Sequence, residues 1–287
     1  MNAAFIDWLR ANRNQRFLAY LHYMEPHHPY TPPARFRPPT PDGIRTHVAD
    51  GHLDQWEHEV LSPEGLTLPE PEVRYLRALY DGEVRAWDDA FAGLLRDLDA
   101  LGRRADTIVV VTADHGEEFL GHGRLMHGTH LFDEVLHVPL VIVGPGIRRG
   151  GVDTLAQGID FFPTVAALLG LTPPAGLPGH DLLADRTDHP VVSETRNGRL
   201  ADGTGTALVS LRTRDWKLIQ APSLGRSSLF DLAHDPAERN DRFATAPEAA
   251  TLTAELAALL AAAPPPPAAT ADAPGVREKL RALGYVE

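Results

Sequence analysis

The chain alternates between segments with a helical apolar period and short β-branched runs that stop at loops rich in His, Gly and Pro. The longest periodic stretch is Pro71 to Leu101. Val73, Leu76, Leu79, Tyr80, Val84, Trp87, Phe91, Leu94, Leu95 and Leu98 recur there at three-and-four spacing, which predicts one apolar helix face, and Gly102 supplies the stop. Phe5, Ile6, Trp8 and Leu9 gather in the same way on a helix over Asn2 to Arg10. Phe17 to Tyr23 then reads as a short buried strand. Thr107 to Val111 is continuous and β-branched, as expected of a strand covered on both faces, and Val138 to Val143 is the next strand, ended by Gly144-Pro145-Gly146. With the long helix between them, the strands at 17 and 107 predict a βαβ crossover. Asp160 to Leu169 has the pattern of a short helix.

Beyond Gly170 the pattern shortens. Pro190 to Glu194, Thr206 to Arg212, Trp216 to Gln220 and Ser227 to Leu232 read as strands joined by tight turns, a small antiparallel sheet. A helix over Pro247 to Ala262 follows, then a spacer at Pro264 to Pro267 and a last helix over Val276 to Leu283. Arg35 to Pro69, rich in Pro, Gly, His and Asp, reads as a long surface excursion that shapes a cleft. The predicted class is α/β, with residues 1–185 forming the core and residues 186–287 a subdomain of antiparallel sheet and terminal helices.

Composition narrows the function. A chain of 287 residues with 43% hydrophobic content can bury one core and a small appendage, and is not a disordered chain. A net charge of -12 gives nucleic-acid binding no electrostatic support, so an anionic substrate must be drawn by local positive groups. There are 14 His and no Cys, which removes disulfides, thiolate metal sites and cysteine nucleophiles. Residues 1–25 carry no basic-then-apolar signal pattern and no apolar run is long enough to span a bilayer, so the chain reads as soluble.

The chemistry concentrates in TIVVVTADHGEEFLGHGRLMHGTHLFDE, residues 107–134. Asp114 and His115 stand where the strand ends, and parallel sheets collect ligands at the carboxyl ends of their strands. Taken alone the pair has a plain reading, a helix-capping Asp and a satisfied loop His. The residues that follow argue for chemistry. Gly116, Gly121, Gly123 and Gly128 let the backbone bend around a ligand, while Glu117, Glu118, His122, His127 and His130 supply proton and metal chemistry. A hard oxygen-rich site suits Ca²⁺ or Mg²⁺, and added imidazole moves the preference toward Mn²⁺ or Zn²⁺. A second histidine loop, Glu25-Pro26-His27-His28-Pro29, follows the predicted strand at Phe17.

These strings resemble the sulfatase family of the alkaline phosphatase superfamily. FLAYLHYMEPHHPYTPP is similar to its strand and Pro-His-x-Pro loop, and YDGEVRAWDDAFAGLLRDLDALG to its long helix. TADHGEEFLGHG through HVPLVIVGPG resembles the metal strand and loop, and QGIDFFPTVAALLGL, LRTRDWKLI, LFDLAHDPAERND and LRALGYV resemble later segments. The resemblance implies an alkaline-phosphatase-like, mostly parallel sheet flanked by helices. It also implies a divalent metal, Ca²⁺ foremost with Mg²⁺, Mn²⁺ or Zn²⁺ as alternatives. Asp114 and His115 match the metal ligands, His27 the substrate-facing histidine, and His127 the residue near the sulfate oxygens and leaving group. His28 is a second contact or a brace of its loop, and His122 and His130 are expected to be solvated.

The sequence departs from the family in its nucleophile. Sulfatases use a formylglycine made from a Cys/Ser-x-Pro-x-Arg motif, and this chain has no Cys, no Ser-x-Pro-x-Arg and no N-terminal strand with paired aspartates. Thr31-Pro32-Pro33-Ala34-Arg35 fits Thr-x-Pro-x-Arg, but it follows His27 in a Pro-rich extended segment, whereas the resemblance implies a nucleophile before that strand, at a helix N-terminus where backbone donors favour an anion. The reading is a C-terminal portion of a sulfatase-like hydrolase, truncated or half of a split one, incomplete and inactive as an isolated chain. Its substrate would be a sulfated small molecule or glycan, with Arg35, Arg37 and Arg45 available to an anionic sugar, its partner a missing N-terminal half, and its setting periplasmic or secreted. The alternatives are a phosphodiesterase, phosphonate hydrolase or phosphoethanolamine-type transferase of the same superfamily, and a non-catalytic binding or structural remnant of the fold.

Overall fold

A computed structural model describes residues 1–53 and 68–263. The predicted spacer at Pro264 to Pro267, the helix over Val276 to Leu283 and part of the excursion after Arg35 lie outside the described residues. The chain divides into two compact units, one of Met1–His52, Arg74–Leu101 and Ala258–Glu287, the other of Leu53–Val73 and Gly102–Ala257.

In the first unit, helix α1 (Asn2–Ala11) buries Ile6 and Leu9. Asn2 joins two other segments, its Nδ2 donating to the Ala90 carbonyl at 2.8 Å and its Oδ1 accepting from the Tyr23 hydroxyl. Short α2 (Thr46–Ala49) buries Val48. Long α3 (Glu70–Ala100) buries Leu76, Leu79, Leu94 and Leu98, the apolar face that the period predicts, and Gly102 beyond its end takes φ +68. The segment after Pro29 does not stay on the surface: Tyr30 is buried and its amide donates to the Gly51 carbonyl at 3.0 Å. Gly51 has φ +82, and a Cβ there would lie 2.0 Å from the Tyr30 carbonyl oxygen, so this return of the chain requires glycine.

Phe17 to Tyr23 is not a strand. The segment joins no strand ladder among the described residues, and Leu18 and Tyr20 are 71% and 80% exposed. The predicted βαβ crossover is therefore not formed among the described residues. The reason is physical: an apolar run becomes a strand only when a neighbour takes its backbone hydrogen bonds.

The second unit contains β1 (Val109–Thr112), the short hairpin β2 (Glu118–Phe119) and β3 (Leu125–Met126), α4 (Asp133–Leu136), and β4 (Leu140–Val143). β1 pairs antiparallel with β4, Val109 opposite Val143 and Thr112 opposite Leu140. Leu140, Val141 and Val143 remain exposed, so this ribbon is not covered on both faces as its sequence predicts. After α5 (Phe161–Leu168) comes an antiparallel meander of β5 (Val191–Thr195), β6 (Leu208–Arg212), β7 (Trp216–Ala221) and β8 (Arg226–Asp231), close to the four predicted strands. Every strand ladder among the described residues is antiparallel. The class is α/β with a four-stranded C-terminal sheet, as the sequence predicts.

The meander is buried on both sides. Val209, Leu211, Leu218 and Leu229 pack on Ala249, Leu252 and Leu256 of α6 (Glu248–Ala262). The opposite face, with Leu208, Ile219, Ala221 and Phe230, packs on Leu131, with Phe132 and Leu136 beside it. The alternation of strand side chains thus uses one face for a helix and the other to seat the loop that follows β3. Among the described residues no helix is long and apolar enough to cross a membrane.

Among the described residues of the first unit, Glu83 of α3 is the buried polar exception. It is buried, its Oε1 accepts the Thr31 amide at 2.7 Å, and burial pushes its carboxyl up to about 7. A carboxyl raised in the folded state favours folding least where the unfolded chain is ionised, so its contribution to stability declines as pH rises from the ordinary value of 4.5 through about 7. Glu83→Gln keeps an acceptor for Thr31 and removes that cost. Thermal melts across pH should find the variant about 1 to 3 kcal/mol more stable than the parent at pH 8, and no more stable at pH 4; an equal difference at both pH values would contradict this.

Candidate active site at the end of the first strand

β1 ends at Thr112, and the next residues turn into a loop held by its own backbone. The Gly116 amide donates to the Val135 carbonyl at 2.9 Å, and a Cβ on Gly116 would lie 2.1 Å from the Glu134 carbonyl oxygen. Glycine here makes room for the returning chain, a different use from the ligand-side bend expected of it. The Asp114 carboxylate is exposed, and its Oδ1 accepts the His115 amide at 3.0 Å while Oδ2 lies 3.8 Å from His115 Nε2. His115 Nδ1 lies 3.0 Å from the Gly116 carbonyl oxygen, an acceptor only. Nδ1 therefore donates to that carbonyl, the kind of backbone contact that orients a metal-ligating imidazole.

His127 arrives from the other end of the hairpin. Its ring stacks on that of His115 with centroids 3.6 Å apart and planes at 23°, and its Nδ1 is 2.9 Å from Oε1 of the buried Glu117 side chain. A carboxylate at Nδ1 fixes the ring orientation and directs Nε2 outward. The structure thus brings together Asp114, His115 and His127, and adds Glu117 as the support of His127. Among the described residues no third carboxylate or imidazole closes on Asp114 and His115 as a metal-holding group. The pair fits a share of a divalent ion's coordination sphere, one hard oxygen and one imidazole nitrogen.

Glu118 turns the other way and is fully buried. Its Oε1 accepts the amides of His122 at 2.5 Å and Arg124 at 3.1 Å, and its Oε2 lies 2.6 Å from His130 Nε2. The hairpin around it holds Leu120 at φ +60 and Met126 at φ +65, backbone that side-chain-bearing residues adopt only when surroundings impose it. His122 and His130 are buried and paired, not solvated as the sequence reading expects. The His122 ring stacks on Phe132 at 3.7 Å and 7°, with Nδ1 3.1 Å from Glu134 Oε1 and Nε2 3.1 Å from the Glu238 carbonyl oxygen. Burial lowers this imidazole's affinity for a proton, but Glu134 more than offsets it, so the His122 pKa is raised.

The loop is also fastened by charge to the C-terminal sheet. Lys217 of β7, fully buried, places Nζ 2.8 Å from Asp133 Oδ1 and 2.9 Å from Glu238 Oε1, while Glu238 Oε2 accepts the Asp133 amide at 2.6 Å. Burial raises the Asp133 pKa, but Lys217 and Arg212 overcome that and hold it low. At Glu238 burial prevails over Lys217 and the carboxyl is raised. Sequence reasoning misses Lys217 and Glu238; the available signal was a lysine inside the apolar run Trp216 to Ile219.

His27 belongs to the other unit. Its amide donates to the Met24 carbonyl at 2.8 Å, Nδ1 lies 2.7 Å from the His28 carbonyl oxygen, and the Glu25–Pro26 and His28–Pro29 peptide bonds are cis. His28 packs edge-on against Tyr30 and His52. Thr31 is followed by a three-residue turn, Ala34–Phe36, so no helix of useful length presents its N-terminus there. Arg35 pairs with Asp89 at 2.5 Å and Arg37 donates to the Ala49 carbonyl at 2.6 Å.

A sequence model described as Sulfatase matches residues 1–171. The chain is 28% identical over 245 residues to the uncharacterized sulfatase YidJ of Escherichia coli (strain K12), covering 82% of this chain and 49% of that protein. It is 28% identical over 289 residues to arylsulfatase K of Bos taurus, covering 85% and 51% respectively. Among solved structures, phosphonate monoester hydrolase SpPMH from Silicibacter pomeroyi superposes with a TM-score of 0.66 at 24% identity, over 91% of this chain and 59% of that one. The chain belongs to the sulfatase family, whose enzymes use a divalent metal, and its fold is that of the alkaline-phosphatase-like hydrolases. It spans about half the length of these curated relatives.

Removing Glu118 should expose how far the loop depends on it. Glu118→Ala is expected to cost about 3 kcal/mol in urea unfolding, because two amides and His130 lose a buried anionic acceptor together. A cost below about 1 kcal/mol would show that the hairpin closes without it.

Proposed function

We propose that this chain supplies the metal-and-histidine wall of a sulfate-ester hydrolase. The observation that carries the reading is the stacked pair His115 and His127 at the end of β1. Each ring is held at Nδ1, by the Gly116 carbonyl and by Glu117, which fixes the pair side by side beside Asp114. Asp114 and His115 would hold a divalent ion, Ca²⁺ being favoured by an exposed carboxylate at an open position. When bound, that ion supplies charge stabilisation to the ester oxygens. His127 donates from its ring to a sulfate oxygen or to the departing alkoxide, with Glu117 holding the ring in place through Nδ1. His27 is the substrate-facing histidine by its match to the Pro-His-x-Pro motif.

No residue among these 287 matches the family's nucleophile, which has neither its Cys nor a Ser-x-Pro-x-Arg string here. The nucleophile would come from a segment outside them, and the substrate would be a sulfated small molecule or glycan. The phosphonate hydrolase reading is the second one, favoured by the structural likeness to a phosphonate monoester hydrolase.

The test pairs the chain with the N-terminal half of a sulfatase relative, expressed separately, and follows release of 4-nitrophenol from its sulfate and phenylphosphonate esters. The chain alone should show no turnover. The pair should prefer the sulfate, Asp114→Ala should abolish turnover, and His127→Ala should lower kcat about 100-fold or more. Turnover by the chain alone would overturn the assignment of the nucleophile to another segment, and preference for the phosphonate would replace the sulfatase reading with the second one.

A further inference from the structure

A second group of metal-ligating side chains lies away from the end of β1, in the segment that leads from α5 to the C-terminal sheet. His180, Asp185 and His189 present one ligand atom each, all within 4.8 Å of one another. Asp185 Oδ2 is at the centre, 2.8 Å from His189 Nε2 and 3.6 Å from His180 Nδ1. Two nitrogens at about 2.0 Å and an oxygen at about 2.1 Å from a tetrahedral ion stand ~3.3 Å apart, and the two distances bracket that value. The imidazole rings lie face to face with centroids 3.7 Å apart and planes at 5°. A proton shared between His189 and Asp185 does not serve His180, whose Nδ1 is beyond hydrogen-bond reach of the carboxylate. A cation serves all three.

The backbone carrying these side chains is fixed in advance. Asp160 is buried and its Oδ1 accepts the His180 amide at 2.8 Å, while Thr164 Oγ1 accepts the Leu182 amide at 3.0 Å. The amides of Ala184 and Asp185 both donate to the Asp181 carbonyl, closing the turn that sets the spacing. Asp185 Oδ1 accepts the Thr187 amide at 2.8 Å, which orients the carboxylate and leaves Oδ2 to the histidines. Next to His189, Asp188 accepts from the Leu155 amide at 2.9 Å and from Arg214 Nε at 2.8 Å. A ligand carboxylate oriented in this way on a fixed turn separates a built site from a chance encounter of surface groups.

We propose that His180, Asp185 and His189 form a binding site for a zinc-class divalent metal, with His180 Nδ1, Asp185 Oδ2 and His189 Nε2 as ligands and water in the fourth position. The three side chains are about a third exposed, which leaves that position open to solvent. An ion there replaces the proton between His189 and Asp185 and turns the two rings out of their parallel stack. It would clip the turn that enters β5. The inference is independent of the reading of Asp114 and His115.

The test is calorimetric titration of ZnCl₂ into the chelator-treated 287-residue chain carrying Asp114→Ala and His115→Ala, so that the other metal-binding pair is removed. One equivalent of zinc is expected to bind, with Co²⁺ giving the visible bands of a low-coordinate site. His180→Ala and His189→Ala should each weaken zinc about 10-fold or more. Asp185→Asn, which keeps the acceptor for Thr187, should do the same with an unchanged thermal melt in the absence of metal. No zinc binding by the starting protein, or zinc affinity unchanged in His189→Ala and Asp185→Asn, would overturn the proposal.

Discussion

The loop that carries Asp114, His115 and His127 depends on one buried carboxylate. Glu118 is removed from water and is repaid by two backbone amides and the His130 ring. A carboxyl group removed from water must be compensated, and the two amide hydrogen bonds to Oε1, with the His130 ring beside Oε2, supply this. Those bonds close the turn at Leu120 and Met126, two residues in left-handed backbone that a loose loop would not hold. Glu117, one residue earlier and with its side chain also buried, is aimed toward His127. Neighbouring carboxylates thus divide the work, one holding the loop and the other holding a site histidine.

The same loop is seated on the C-terminal sheet. Leu131, Phe132 and Leu136 cover the sheet face that α6 does not, and at the edge of this contact Lys217 serves two carboxylates at once. A lone buried ammonium would be costly, and removing it would strand Asp133 and Glu238. The small sheet is therefore part of the support of the site. It fixes the residues that return to pack against Gly116, and through them the start of the loop.

Elements with local periodicity were legible in the sequence. The apolar face of Glu70–Ala100 and the four short strands after Pro190 each carry their own signal, and both form close to where the pattern places them. Phe17 to Tyr23 fails because a strand is a relation between segments, and its composition could not say whether a partner would be there. At the site, Asp114, His115 and His127 were legible as residue types beside a strand end. His122 and His130 were not, because burial against Glu134 and Glu118 depends on how the hairpin folds. Gly116 serves the packing of the chain on itself, since the space beside it is filled by the Glu134 backbone. The pairing of Lys217 with Asp133 spans 84 residues of sequence, and no local pattern encodes it.

Glu118 holds the hairpin closed in the native protein. Native-state hydrogen exchange resolved to single amides tests it most directly, on the His122 and Arg124 N–H groups that this carboxylate accepts. The account expects both amides to exchange orders of magnitude more slowly than surface-loop amides, in step with the buried strands of the C-terminal sheet. Exchange of either amide at the rate of an open loop would contradict it.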